Sequence, residues 1–284
     1  MKMLLMLTVV AAGAAAQSPL DADAIRDRLD KYLIQYEPQL SALVADERMT
    51  QRDGPSRNAY PSDPAKDREI LSEVAFISLP GDVGWLGFRR VTTVNKKKIA
   101  ESGPSLALVL SDGAKDDYDQ ARLLLAQSAE HNLGFPRTTN LPNLPLEFLH
   151  PRNRHRLTHR VDAFETIRGV QTARMVFEER STPTIIRRAD GGDMKTLVSA
   201  WVEPETGRLL RAQVKSRDVR IGVLPFDNVI WVDFRPDEKL GLLVPYEMKE
   251  EFFAGRFREG MGTARYTNYR QFKTGARIVP PKAR

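Results

Sequence analysis

The 284-residue chain contains no cysteine. That absence excludes disulfides, thiolate nucleophiles and cysteine-ligated metals together. Histidine is nearly as scarce, with four copies, and aromatic residues make up only 8%, so ring-rich ligand cages have little to draw on. Local catalytic signatures are missing too: the chain has no G-x-S-x-G elbow, no H-E-x-x-H zinc helix, no S-x-x-K pair and no glycine loop of the phosphate-cradling kind. The carboxylate pairs Asp116-Asp117, Glu178-Glu179 and Glu250-Glu251 are neighbours in sequence. In an extended strand such neighbours diverge, and nothing marks them as a glycosidase pair. Long apolar runs are absent except for one, Met3 to Ala12, which falls short of the roughly 20 residues that a membrane-spanning helix needs.

That run has Lys2 in front of it and Ala14-Ala15-Ala16 before Gln17 behind it. A short basic start, a brief apolar core and small residues at the cut are the layout of a cleavable secretory signal. The expected organisation is a signal peptide at residues 1–16 and one domain at 17–284. The mature protein is expected in the periplasm or outside the cell, with no transmembrane span. It is not expected to be a lipoprotein, because lipidation needs a cysteine at the cut. About 270 residues then remain, enough to bury a core without disulfides. The formal charge of +6 falls to +5 without Lys2. In the envelope that excess points to anionic lipid, anionic glycan or an acidic protein rather than to nucleic acid.

Along the chain, Asp21 opens a helical pattern carried by Ile25, Leu29, Leu33 and Tyr36. Pro38 bends or restarts it, and Leu40, Leu43 and Val44 extend the stripe. Residues 53–66 read as a loop. Strands follow at Ile70 to Leu79 and Trp85 to Val94, joined by Pro80-Gly81-Asp82, with Lys96-Lys97-Lys98 as a solvated turn. A helix from Asp116 or Asp117 to about His131 and the prolines beyond it make residues 103–150 a helical insertion lying against a sheet. From Arg154 onward the period becomes two. Leu210, Ala212 and Val214, then Ile230, Val232 and Phe234, then Val244, Tyr246 and Met248 each alternate with polar or outward residues. Turn signals at Gly169, Gly191-Gly192, Pro204 to Gly207, Pro236-Asp237 and Gly260 to Gly262 separate at least six strands. The pattern predicts an α+β fold: a large curved antiparallel meander, an open or half barrel, with helices on one face. A four-residue hairpin connection at Pro204 to Gly207 places Trp201 opposite Leu210, Ser199 opposite Ala212 and Leu197 opposite Val214. Trp201 is then expected in the core, and Trp231 on the other face.

Three stretches carry a resemblance. Trp201-Val202-Glu203-Pro204-Glu205-Thr206-Gly207-Arg208-Leu209-Leu210-Arg211, Leu242-Leu243-Val244-Pro245 and Tyr266-Thr267-Asn268-Tyr269-Arg270-Gln271-Phe272 resemble the open β-barrel carriers and sensors of the bacterial envelope. That superfamily includes the lipoprotein-localisation carrier and the sigma-factor regulatory lipid sensor. A helix leading into a strand at Ala42 to Gln51 resembles the start of the carrier family. Gly87-Phe88-Arg89, Asn132-Leu133-Gly134 and Arg137-Thr138-Thr139-Asn140-Leu141-Pro142 are similar to a group of uncharacterised secreted bacterial proteins. The resemblance implies helices across the concave side of a curved sheet and an apolar groove between them. It does not imply catalysis. The lysine run and the long insertion depart from the carrier pattern, and an insertion can fill the groove.

His155 and His159, with His150 and Asp162 nearby, are the sole histidine cluster. Four arginines crowd it, which disfavours a dication, and no metal site is expected. Those arginines, Arg152, Arg154, Arg156 and Arg160, are the candidate ligand-binding residues. Guanidinium groups in a row on one strand face match phosphate or carboxylate oxygens in pairs. The bland alternative is a solvated face balanced by acidic neighbours. The expected function is a non-enzymatic envelope protein, without cofactor, that binds an apolar ligand, lipid or lipoprotein-like, or a partner protein in or on the barrel. The alternatives are a hydrolase whose site is assembled from distant residues, and a structural scaffold whose helices fill the groove. Mass analysis of the exported protein is expected to find Gln17 at its N-terminus; a full-length membrane-bound product would overturn location and topology together.

Overall fold

The computed structural model describes residues 21–54, 66–79, 84–100, 129–134, 137, 139–188, 191–221, 224–255 and 257–271. The signal peptide, the 55–65 loop, the Pro80-Gly81-Asp82 turn and the expected helix from Asp116 through residue 128 lie outside the described residues.

Helix α1 (Ala22–Leu40) starts at Asp21, whose carboxylate accepts the Asp23 N–H at 3.2 Å. This satisfies one of the donors that a helix start leaves open. Its stripe of Ile25, Leu29, Leu33, Tyr36 and Leu40 is buried, and each such aliphatic side chain contributes about 1.5–3 kcal/mol. Pro38 is accommodated in the last turn. Leu43 and Val44, expected on the helix, instead open strand β1 (Leu43–Asp53). Their spacing suits either state, and pairing decides it: Leu43 faces Gln271, and Val44 lies between Arg270 and Ala75.

The remaining strands are β2 (Lys66–Leu79), β3 (Gly84–Val94), β4 (Lys97–Lys98), β5 (Leu157–Ile167), β6 (Val170–Glu179), β7 (Thr196–Val202), β8 (Leu209–Ile221), β9 (Leu224–Asp237), β10 (Leu242–Ala254) and β11 (Phe257–Gln271). They form one antiparallel sheet in the order β4-β3-β2-β1-β11-β10-β9-β8-β7-β6-β5. The sheet is a curved, unclosed α+β barrel, as the period-two pattern predicts. Its inner face, α1 and a short helix α2 (Leu144–Leu149) share one continuous hydrophobic cluster. Helix α2 also covers part of the free edge of β3: Glu147 Oε2 accepts the Trp85 N–H at 2.8 Å. Covering exposed strand groups in this way protects an edge that would otherwise invite another strand. At the β7–β8 turn Gly207 has φ +75°, and a Cβ there would lie 2.2 Å from the Arg28 carbonyl oxygen of α1. Only glycine allows that turn to touch the helix backbone.

Register corrects three sequence expectations. The Pro204 to Gly207 connection is present, with the Glu203 N–H bonded to the Arg208 carbonyl at 2.9 Å and Val202 opposite Leu209. A bulge then shifts the pairing, so that Trp201 faces Arg211, Ser199 faces Gln213 and Leu197 faces Lys215. One extra residue moves side chains to the other face. Val198, Ala200, Val202 and Leu209 therefore enter the main core, while Trp201, 4% exposed, joins Ile167 and Leu210 in a second cluster. Trp231 looks away from the core as expected and packs there too, its ring centroid 5.9 Å from that of Trp201. The second correction is Tyr246, lifted out of the Val244–Met248 row by a register shift between Pro245 and Glu247. The third is Gly260-Met261-Gly262, which lies inside β11 rather than in a turn. Its glycine makes room: a Cβ on Gly262 would lie 2.6 Å from Glu250 Oε1.

Trp201→Ala is expected to cost about 3 kcal/mol. Because the Trp231 ring packs tilted against that of Trp201, a Trp201→Ala/Trp231→Ala cycle in urea should show coupling of about 0.5–1.5 kcal/mol; additive losses would place the two rings apart.

Candidate functional site

Strand alternation points Glu47 and Gln51 of β1 inward with Met49. Arg89 of β3 and Glu250 of β10 are buried on the same side. Arg89 donates to both Glu47 oxygens, at 2.5 and 2.8 Å, and to the Asn140 side chain and carbonyl at 3.1 and 2.7 Å. Asn140 Nδ2 donates to Asn132 Oδ1 at 2.7 Å, which also receives Gln51 Nε2 at 2.8 Å. Gln51 Oε1 accepts the Leu133 N–H at 2.7 Å. Arg137 closes the chain: both oxygens of Glu250 accept from it, the Nε bond at 3.1 Å, and its guanidinium lies over the Phe252 ring. Burial works against the charge on Arg89, but the Glu47 carboxylate outweighs it and holds the guanidinium above its ordinary pKa. Burial also drives the neighbouring Tyr266 phenol well above its usual value, so it stays neutral.

Three sequence motifs that read singly as turn chemistry thus converge. Arg89, Asn132, Arg137 and Asn140 form one buried network tying the 129–141 segment to β1, β3 and β10. Gly87 serves the same join, since a Cβ there would lie 2.7 Å from Leu141 Cδ1. Among the described residues the polar atoms of the network are occupied by one another. The network leaves the inner face filled by α1 and the 129–149 segment.

The four candidate arginines do not share a strand face. Arg152, Arg154 and Arg156 lie on a 3₁₀ turn (Pro151–Arg156), and Arg160 alone is on β5. Proline at the start of the turn and the cap of His150 on the Arg152 N–H favour the tight helix over an extended chain. Their partners come largely from α1: Arg154 pairs with Asp27 at 2.5 Å and Asp30 at 2.8 Å, and Arg152 approaches Glu37 at 3.7 Å and Glu147 at 3.4 Å. Arg156 reaches Glu179 at 3.4 Å and Arg160 reaches Asp162 at 3.6 Å. The histidines take the same part, His150 contacting Glu37 and His159 contacting Asp23. Burial raises the pKa of Asp30 and of Glu179 despite these cations. Among the described residues no group of three or more His, Asp or Glu side chains is gathered around a metal-sized position.

A cleft of about 720 Å³ opens where the barrel fails to close, within the range of roughly 300–1,000 Å³ typical of small-ligand sites. Its apolar wall is Trp85 from β3, Leu141 and Leu144 from the insertion, and Ile185 and Ile186 from the loop after β6. Its polar wall includes Glu147, Arg152, His155, Arg156 and Arg187. Two of the four candidate arginines are therefore brought to one cavity, Arg154 and Arg160 are not, and Arg187 is an addition that no sequence spacing announced. Trp85 Nε1 and Asn143 Oδ1 at this cleft are buried without a hydrogen-bond partner.

No protein-family model and no curated protein matches the sequence. Among solved structures, the chain is similar to a DUF1329 family protein from Desulfovibrio piger, with 12% identity, TM-score 0.38, and 88% of this chain and 92% of that one covered. A LolA superfamily protein from Nitrosomonas europaea has 10% identity and TM-score 0.35, covering 89% and 93%. A domain from Vibrio parahaemolyticus named for outer-membrane lipoprotein sorting has 10% identity and TM-score 0.36, covering 87% and 92%.

Arg137→Met would strand the buried Glu250 carboxylate, at a cost of roughly 3–5 kcal/mol in urea unfolding. Adding Glu250→Gln should recover most of that loss, and limited proteolysis should cut the 129–141 segment in the single variant but not in the parent.

Proposed function

We propose that this is a non-enzymatic exported protein of the bacterial envelope that binds an apolar ligand, lipid or lipoprotein-like, in the cleft at the open seam of its barrel. The observation that carries the reading is the contrast between two places. The inner face, where a carrier fold would keep a groove, is filled by α1 and the 129–149 segment in one continuous core. The seam retains an open cavity walled by Trp85, Leu141, Leu144, Ile185 and Ile186. Concave, mostly apolar cavities with a few polar groups are where small ligands bind. A hydrolase needs a nucleophile and a base within hydrogen-bond reach, and the cleft's acid–base candidates are engaged elsewhere or isolated. Glu147 is held by the Trp85 N–H, Asn153 and Arg152, while His155 is exposed and has no hydrogen bond or ion pair to a carboxylate among the described residues. An envelope location rests on the residue 1–17 pattern; in addition, no described helix is long and apolar enough to cross a membrane.

A protein partner is the second reading, favoured by the exposed Phe164 on β5, a strand at the free edge of the sheet. Native mass spectrometry of protein purified from its own host separates the two. A co-purified small amphiphile, lost in an Ile185→Asp/Leu144→Asp variant that keeps the parent's unfolding midpoint within a few degrees, supports the cleft. A bare chain, or an adduct unchanged in that variant, would sink it.

A further inference from the structure

We propose that the seam cleft selects an amphiphile bearing an oxyanion, a carboxylate or a phosphate, and not a neutral lipid. The inference rests on the cleft being the binding site, and it follows from what lines it. Of the charged groups there, Arg152 and Arg156 are matched by Glu147 and Glu179 across 3.4 Å. Arg187 is exposed and has no hydrogen bond or ion pair with any described residue, so the lining keeps a net positive charge at neutral pH. Arg187 directly follows Ile185 and Ile186, which places a guanidinium fork at the end of the apolar wall. That is the order of groups in an amphiphile: apolar body, then acceptor oxygens.

A second, independent observation comes from the buried end. Trp85 is 6% exposed, and its indole N–H, like Arg152 Nε, finds no acceptor. A buried donor left unpaired costs about 1–3 kcal/mol, and a ligand oxygen would remove that cost. The unpaired groups are thus mainly donors, which fits an acceptor-rich head. Of the unpaired acceptors, Glu179 Oε2 belongs to a residue outside the lining, and Asn143 Oδ1 is lodged against Gly87, where a Cβ would lie 2.5 Å away, and is not free to favour a cationic head instead.

Calorimetry on the exported protein, below the critical micelle concentration, tests the idea with four probes: hexadecanoate, hexadecyl phosphate, glycerol monohexadecanoate and inorganic phosphate. Both anionic amphiphiles are expected to bind, the neutral one at least about tenfold more weakly, and inorganic phosphate not at all. Arg187→Gln should weaken the two anions by about 10- to 100-fold, as loss of a charge-assisted hydrogen bond does, without changing the neutral probe. A Trp201→Phe/Trp231→Phe variant leaves Trp85 as sole tryptophan, and its emission should shift on binding. Equal affinity for neutral and anionic chains, unmoved by Arg187→Gln, would overturn the oxyanion and leave the apolar cleft standing. Binding of inorganic phosphate as tight as that of the amphiphiles would overturn the chain requirement. Failure of all four to bind folded protein would overturn both this inference and the cleft reading on which it rests.

Discussion

Two guanidinium–carboxylate pairs held away from water at the middle of the sheet determine what its inner face can be. The Glu47, Glu250 and Arg89 side chains are fully buried, and Arg137 is nearly so. Charges in such a setting are tolerable only when nearly every donor and acceptor is satisfied. Gln51 of β1 supplies one of the satisfying groups, and Asn132, Leu133, Arg137 and Asn140 all belong to one segment outside the sheet. That segment cannot lift away without taking the guanidinium partner from Glu250 and the Asn140 acceptors from Arg89. It is therefore part of the core in energetic terms, and a ligand cannot displace it at modest cost. The 720 Å³ cleft lies away from that segment's anchor, where the sheet stops.

How much of this could be read in advance depended on whether the signal was local. The stripe of α1 and the row Ile230, Val232 and Phe234 repeat within a few residues, and both are buried as their periods demand. Turn glycines Gly169 and Gly207 were legible for the same reason, since left-handed backbone restricts the choice of residue. The bulge at Leu210 was not. In the sequence Leu210, Ala212 and Val214 alternate without a break, yet the bulge turns Leu210 off that row and into the cluster of Trp201. The inward-facing Glu47 and Gln51 were hidden by the opposite effect, for polar residues on a strand read as its wet face.

The arginine turn shows a further limit. Its positive charge is plain, but its partners Asp27 and Asp30 lie about 125 residues earlier, on a helix whose sequence signal is its apolar stripe. Asp23, Asp27 and Asp30 recur at helical spacing on one face, and that face was the available clue to a basic counterpart elsewhere. The cleft behind the turn had no such clue, because Trp85, Leu144 and Ile185 come from three elements and meet only through the curvature of the sheet.

The neighbours of β1 in the sheet bear on how the molecule comes into being. Strands β1 to β4 pair in chain order, as do β5 to β11, and the two runs join along a single line where β1 meets β11, across more than two hundred residues of intervening chain. Contacts so distant in sequence carry a loop-closure penalty before they return any stabilisation, and they slow folding. Each run can form from local hairpins while the chain is still emerging. The line between β1 and β11, and with it the buried Glu47 that lies on that line, can be sealed only after the last strand has arrived. Until then two half-sheets each present a bare edge and an open apolar face, so the interval before sealing is when the protein is most exposed to aggregation and most dependent on chaperones.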